Sequence, residues 1–101
     1  MNSAKNNKEL FKAYLVENGM SFNTVNNYAS ALNSKVTELV RSFFNIDMGS
    51  IFGVTDVRLL AYWLKVLLNT KEFEAINQEW NGSPYAAYKK YIEYVKSLSK
   101  K

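Results

Sequence analysis

Apolar side chains in this chain return every three or four residues almost from end to end, and that period commits the backbone to helix. Leu10, Phe11, Tyr14 and Leu15 begin the pattern. Asn18-Gly19 stops it, because glycine accepts the left-handed conformation that closes a helix. A first helix is therefore predicted over about residues 4–18. Ser21 starts the second, its hydroxyl able to accept a first-turn backbone N–H. Val25, Tyr28, Ala29, Leu32, Val36, Leu39, Val40 and Phe43 keep one face of this helix apolar to about Phe44. A bend is expected near Asn33-Ser34, where two backbone-competing side chains adjoin.

Residues 45–54 lose the period and carry two glycines, so they read as a connection with Ile51 and Phe52 tucked into the core. Thr55 or Asp56 caps a third helix with the inner stripe Val57, Leu60, Ala61, Leu64, Leu67 and Leu68. Leu59, Trp63 and Val66 widen that stripe, and Arg58, Tyr62 and Lys65 mark its outer edge. Asn69-Thr70 caps a short helix over 71–80, and Asn81-Gly82 makes a turn. Ser83 as N-cap and Pro84 at the first helical position then start the last helix, which runs from Pro84 to about Leu98 with Ala87, Tyr88, Tyr91, Ile92, Val95 and Leu98 inward. The expected fold is all-α: one domain over 1–101, a compact bundle of four main helices plus one short helix.

Fifteen aromatic residues among 101 and an apolar fraction of 48% allow a core without covalent staples. The chain holds no cysteine and no histidine, which removes disulfides, thiolate chemistry, the commonest general base and the commonest metal ligand. Glu72 and Glu74 stand two apart on a helix and point different ways, so they do not pair as catalytic carboxylates. No glycine-rich phosphate loop and no metal-ligand spacing occurs. A non-catalytic protein is expected, with no cofactor, no metal and no small-molecule substrate. The polar N-terminus lacks a signal-peptide pattern, and the longest apolar segment, Leu59 to Leu68, is broken by Lys65. These two features point away from a membrane and to the cytoplasm.

The net charge of +4 is unevenly spread. Residues 80–101 hold Lys89, Lys90, Lys96, Lys100 and Lys101 against Glu93 alone. Lys5, Lys8 and Lys12 stand against Glu9 at the other end, while the middle is slightly acidic. Basic ends suit a polyanionic partner. Three surface features follow. Lys89, Lys96 and Lys100 line one side of the last helix, with Lys90 flanking them. Lys5, Lys8 and Lys12 line the first. The outer face of the second carries Asn23, Thr24, Asn26, Asn27, Ser30, Asn33 and Ser34, uncharged until Lys35. Asparagine is a poor helix former, and its amide bonds base edges and phosphate oxygens.

Phe11, Tyr14 and Leu15, followed by Gly19, Ser21, Thr24, Val25, Tyr28 and Leu32, resemble the opening of the four-helix core-binding domain of tyrosine recombinases and phage integrases. Ser50-Ile51-Phe52, Thr55-Asp56 and the segment from Pro84 to Val95 fit the same pattern. The stretch from Lys71 to Asn77 with the last helix is similar to the helical domains that precede nuclease modules in restriction-type proteins, with Tyr88 where leucine is usual. The resemblance spans roughly residues 10–95 and implies a duplex clamp. It would bring the second and last helices to the major groove, while catalytic Arg, His and Tyr belong to a separate domain. The resulting expectation is a DNA-binding domain, of a mobile-element or restriction-type protein, that contacts duplex DNA mainly through phosphates. The alternative expectation is a protein-interaction module, a homodimer or an inhibitor of a nucleic-acid enzyme, acting through Leu59, Tyr62, Trp63 and Val66. Exposure of Trp63 separates the two.

Overall fold

Helix α1 (Ser3–Glu17) closes where Gly19 turns to φ +88° and the Met20 N–H reaches back to the Leu15 carbonyl at 3.2 Å. The computed structural model describes residues 3–98. Ser21 then caps α2 (Phe22–Ser30), its hydroxyl accepting the Thr24 N–H. The helix does not stop at Ser30. It passes through a π-helical stretch (Ala31–Val36) directly into α3 (Thr37–Phe44), which Asn45 ends in the left-handed conformation. The irregularity expected at Asn33-Ser34 is thus a change of winding inside one long helix. Its local cause is visible in the Thr37 hydroxyl, which bonds the Leu32 carbonyl five residues back at 2.7 Å.

The connection to the next helix contains a single 3₁₀ turn (Ile51–Gly53), with Ile51 and Phe52 both buried. Asp56 caps α4 (Val57–Leu67), its carboxylate accepting the Arg58 and Leu59 N–H groups. Thr70 caps the short α5 (Lys71–Glu79). Helix α6 (Ser83–Leu98) starts one residue earlier than expected, and the cap comes from elsewhere: Asn77 of α5 accepts the Tyr85 N–H at 2.9 Å. Ser83 is therefore the first helical residue. The described residues form an all-α bundle of four main helices and one short one, with a radius of gyration of 12.7 Å, as expected of a compact domain of this length.

Helix α6 is the central strut, touching α1, α2, the π stretch, α4 and α5. It buries Ala87, Tyr88, Tyr91, Tyr94 and Val95. Phe11 and Phe52 both pack edge-on to Tyr91, at 5.4 and 5.3 Å between ring centres. In α4 the inward face is Leu60, Trp63, Leu64 and Leu67, so Ala61 and Leu68, expected inside, face out. The larger apolar gain from burying the indole decides that rotation. Leu10, Phe43 and Leu98 are likewise on the surface.

Three tyrosine hydroxyls of α6 are drawn inward with their rings. Tyr88 donates to the Leu60 carbonyl at 2.8 Å and Tyr91 to the Val54 carbonyl at 2.7 Å. Burial raises the pKa of both well above the usual tyrosine value, and the neighbouring Tyr91 adds to the shift at Tyr88. In these two groups the folded state holds its protons more tightly than the unfolded chain. Stability is thus unaffected by them below about pH 10 and falls as pH rises beyond it. Urea midpoints measured across the alkaline range should be level up to that point and then decline, and Tyr88→Phe should flatten the decline.

Candidate nucleic-acid interface

Asn7 lies on the buried side of α1, one turn before Phe11, and ties three elements together. Its amide nitrogen donates to the Phe52 carbonyl and to the Tyr91 hydroxyl, each at 2.8 Å. Its amide oxygen accepts the Tyr94 hydroxyl at 2.6 Å. This fixes the first turns of α1 against α6 and the 3₁₀ turn. The next residue, Lys8, is thereby aimed away from the core into a surface cleft of about 620 Å³.

Lys5, Lys8, Asn33, Met48, Gly49, Ser50, Gly53 and Val54 line this cleft. Its far wall is held by two bonds to the long helix. The buried Thr37 hydroxyl accepts the Ile51 N–H at 3.0 Å while donating to Leu32, and the Ser50 hydroxyl donates to the Asn33 amide oxygen at 2.9 Å. Asn33 therefore has its acceptor engaged and its amide N–H groups left for a ligand. Among the described residues that line the cleft there is no carboxylate. The cleft is a cationic, donor-rich hollow.

The other sequence-predicted residues distribute as follows. Lys12 leaves the cleft and lies 3.9 Å from Glu9. Asn23, Asn26, Asn27, Ser30 and Ser34 are all exposed, so the polar face of α2 is a real surface that ends at the cleft through Asn33. Thr24 is half-buried and its hydroxyl is engaged by Ser21 in the helix cap. Lys35 is half-buried. On α6, Lys89 and Lys96 are exposed. Lys89 sits over the Tyr85 ring at 4.4 Å, and Lys90 pairs with Glu93 at 3.4 Å. Lys100 lies outside the described residues. None of the α6 lysines lines the cleft, so the two basic stripes do not converge there.

The α4 surface requires one correction. Trp63 is only 3% exposed and packs against Phe44, so it belongs to the core and not to an interface. Val66 is half-buried, while Leu59 and Tyr62 remain on the surface. Tyr62 is 58% exposed and Phe43 46%, and both rings touch Phe44. Sequence reasoning assigned Phe43 to the core and gave no role to Asn7 or Thr37. The spacing of Asn7 before Phe11 and Tyr14 places it on the apolar stripe, and that was the signal available for it.

Comparison with protein-family models, with characterised proteins and with solved structures found no match. No helix among the described residues is long and apolar enough to cross a membrane. No cluster of acidic side chains able to hold a metal ion occurs among them.

The cleft wall depends on Thr37. Thr37→Val keeps the shape but leaves the buried Ile51 N–H without its partner, at a cost of about 1–3 kcal/mol. Chemical denaturation should show that loss, with Thr37→Ser retaining most of the stability. An unchanged midpoint for Thr37→Val would mean that the loop is held by packing alone.

Proposed function

We propose that this chain is a non-catalytic DNA-binding domain that engages duplex phosphates through its lysines and its polar helix face. The observation that carries the reading is the uncharged, exposed face of α2 and the π-helical stretch after it, which runs from Asn23 to Asn33 and ends at the cleft that Lys5 and Lys8 line. Short amides beside ammonium groups offer hydrogen-bond donors to phosphate oxygens without carboxylates to repel them. The exposed Lys89 and Lys96 of α6 supply a second cationic strip, apart from the cleft. The likeness to recombinase core-binding domains agrees in assigning the second and last helices to the duplex. A cytoplasmic location and a parent protein of recombinase or restriction type belong to the same proposal.

A titration of mixed-sequence duplex at low salt tests it. The dissociation constant should fall in the non-specific range of about 10⁻⁴ to 10⁻⁶ M, with a salt slope that drops by about 0.9 for each phosphate contact removed. Lys89→Glu with Lys96→Glu should weaken binding strongly while the helical spectrum is kept. Absence of binding by the folded domain at about 50 mM salt overturns the reading.

A second reading, protein association, rests on the contact between exposed rings. Phe43 and Tyr62 flank Phe44 with Leu59 one turn before Tyr62, and such grouped aromatics are favoured at interfaces. Tyr62→Glu should abolish any concentration-dependent dimer seen by sedimentation. A wild-type protein that stays monomeric at all concentrations removes self-association.

A further inference from the structure

The cleft between α1 and the 48–54 loop has features that duplex binding does not require. Lys8 and Lys5 line the cleft from the first turns of α1. The hydrogen bonds of the wall consume acceptors and leave donors. Ser50 occupies the Asn33 oxygen, and the Ser50 oxygen itself accepts the Phe52 N–H at 3.2 Å. The backbone N–H groups of Gly49 and Ser50 donate to no protein acceptor among the described residues. Met48 and Val54 supply an apolar side to the same hollow. At about 620 Å³ its volume falls within the range of small-ligand pockets, roughly 300–1,000 Å³.

We infer that this cleft binds a phosphomonoester, the phosphate held by Lys8, Lys5 and the Asn33 amide and the organic part lying against Met48 and Val54. A phosphate's oxygens are acceptors only, which suits a cleft lined by lysine ammonium groups and amide donors and by no carboxylate. The chemistry is shared by a free nucleoside monophosphate and by the 5′-phosphate of a nucleic-acid strand. The inference stands apart from duplex binding by the helix faces, because a terminal phosphate is not needed there.

The glycine at position 49 gives a selective probe. A side chain built on it meets nothing within 4 Å. Gly49→Asp therefore adds a negative charge to the cleft wall with no steric penalty. Amide spectra of the full chain should be recorded during titration with inorganic phosphate and with adenosine monophosphate. Both should produce saturable shifts at Gly49, Ser50 and Gly53, with the nucleotide binding more tightly than the inorganic ion. Lys8→Gln should weaken binding about tenfold, and Gly49→Asp should remove it, each with the helical spectrum intact. A parallel comparison of 5′-phosphorylated with 5′-hydroxyl duplex assigns the source. A preference for the phosphorylated end identifies a strand terminus, while tight nucleotide binding without that preference identifies a free ester, and each supports the shared chemistry. Shifts that do not saturate, that lie only on α6, or that persist undiminished in Lys8→Gln and Gly49→Asp overturn the inference. Duplex binding that survives those same variants leaves the DNA reading in place while the cleft inference fails.

Discussion

A tyrosine hydroxyl carried into an apolar core must find an acceptor or give up much of what its ring gains, and α6 carries three of them. Tyr94 meets that demand at the Asn7 amide oxygen and Tyr91 at the Val54 carbonyl, while the Asn7 amide nitrogen donates to the Tyr91 hydroxyl and to the Phe52 carbonyl. Tyr88 meets it on the opposite side through the Leu60 carbonyl of α4. The result is a helix bolted to its neighbours by directional bonds on both flanks, with Phe11 and Phe52 filling the space between. Because these bonds have fixed geometry, they set the rotation of α1 about its own axis and not merely its distance from α6. The direction of Lys8 follows from that rotation.

The elements and their order were legible in the sequence because their signals are local. Gly19 stops α1, Ser21 caps α2, Asp56 caps α4 and Thr70 caps α5, each through a side chain or a backbone freedom that acts within four residues. The cap of α6 was misread at Ser83 because the group that fills the role, Asn77, belongs to another helix. The facing of α4 was misread for a similar reason. Its apolar residues cover more than one side, and only the partner surface could choose between an orientation burying Ala61 and one burying Trp63.

The candidate site was legible in part. Lys5, Lys8 and Asn33 were each visible as exposed polar residues on helices. Their meeting depends on a loop whose path is set by Thr37 and Ser50, two hydroxyls that carry no periodic signal. The α6 lysines illustrate the reverse case: their spacing reads as a strip, yet Lys90 is engaged by Glu93 and Lys89 by an aromatic ring. Spacing fixes which residues share a helix face and says nothing of the company that face keeps.

The π-helical stretch joins these themes. A π turn spans one more residue than an α turn, and here the wider turn lets two adjacent pairs, Ala31-Leu32 and Val36-Thr37, lie on the buried side together. In a uniformly wound α-helix the stripe through Leu32, Val36 and Val40 leaves no inward place for Thr37. The over-wide turn thus imports a hydroxyl into the core, and that hydroxyl grips the segment forming the cleft's far wall. Helix pitch and cleft depth are in this way geared to each other. A one-residue deletion within that turn would act less as a local defect than as a slipped cog, disengaging the wall from the helix that carries it.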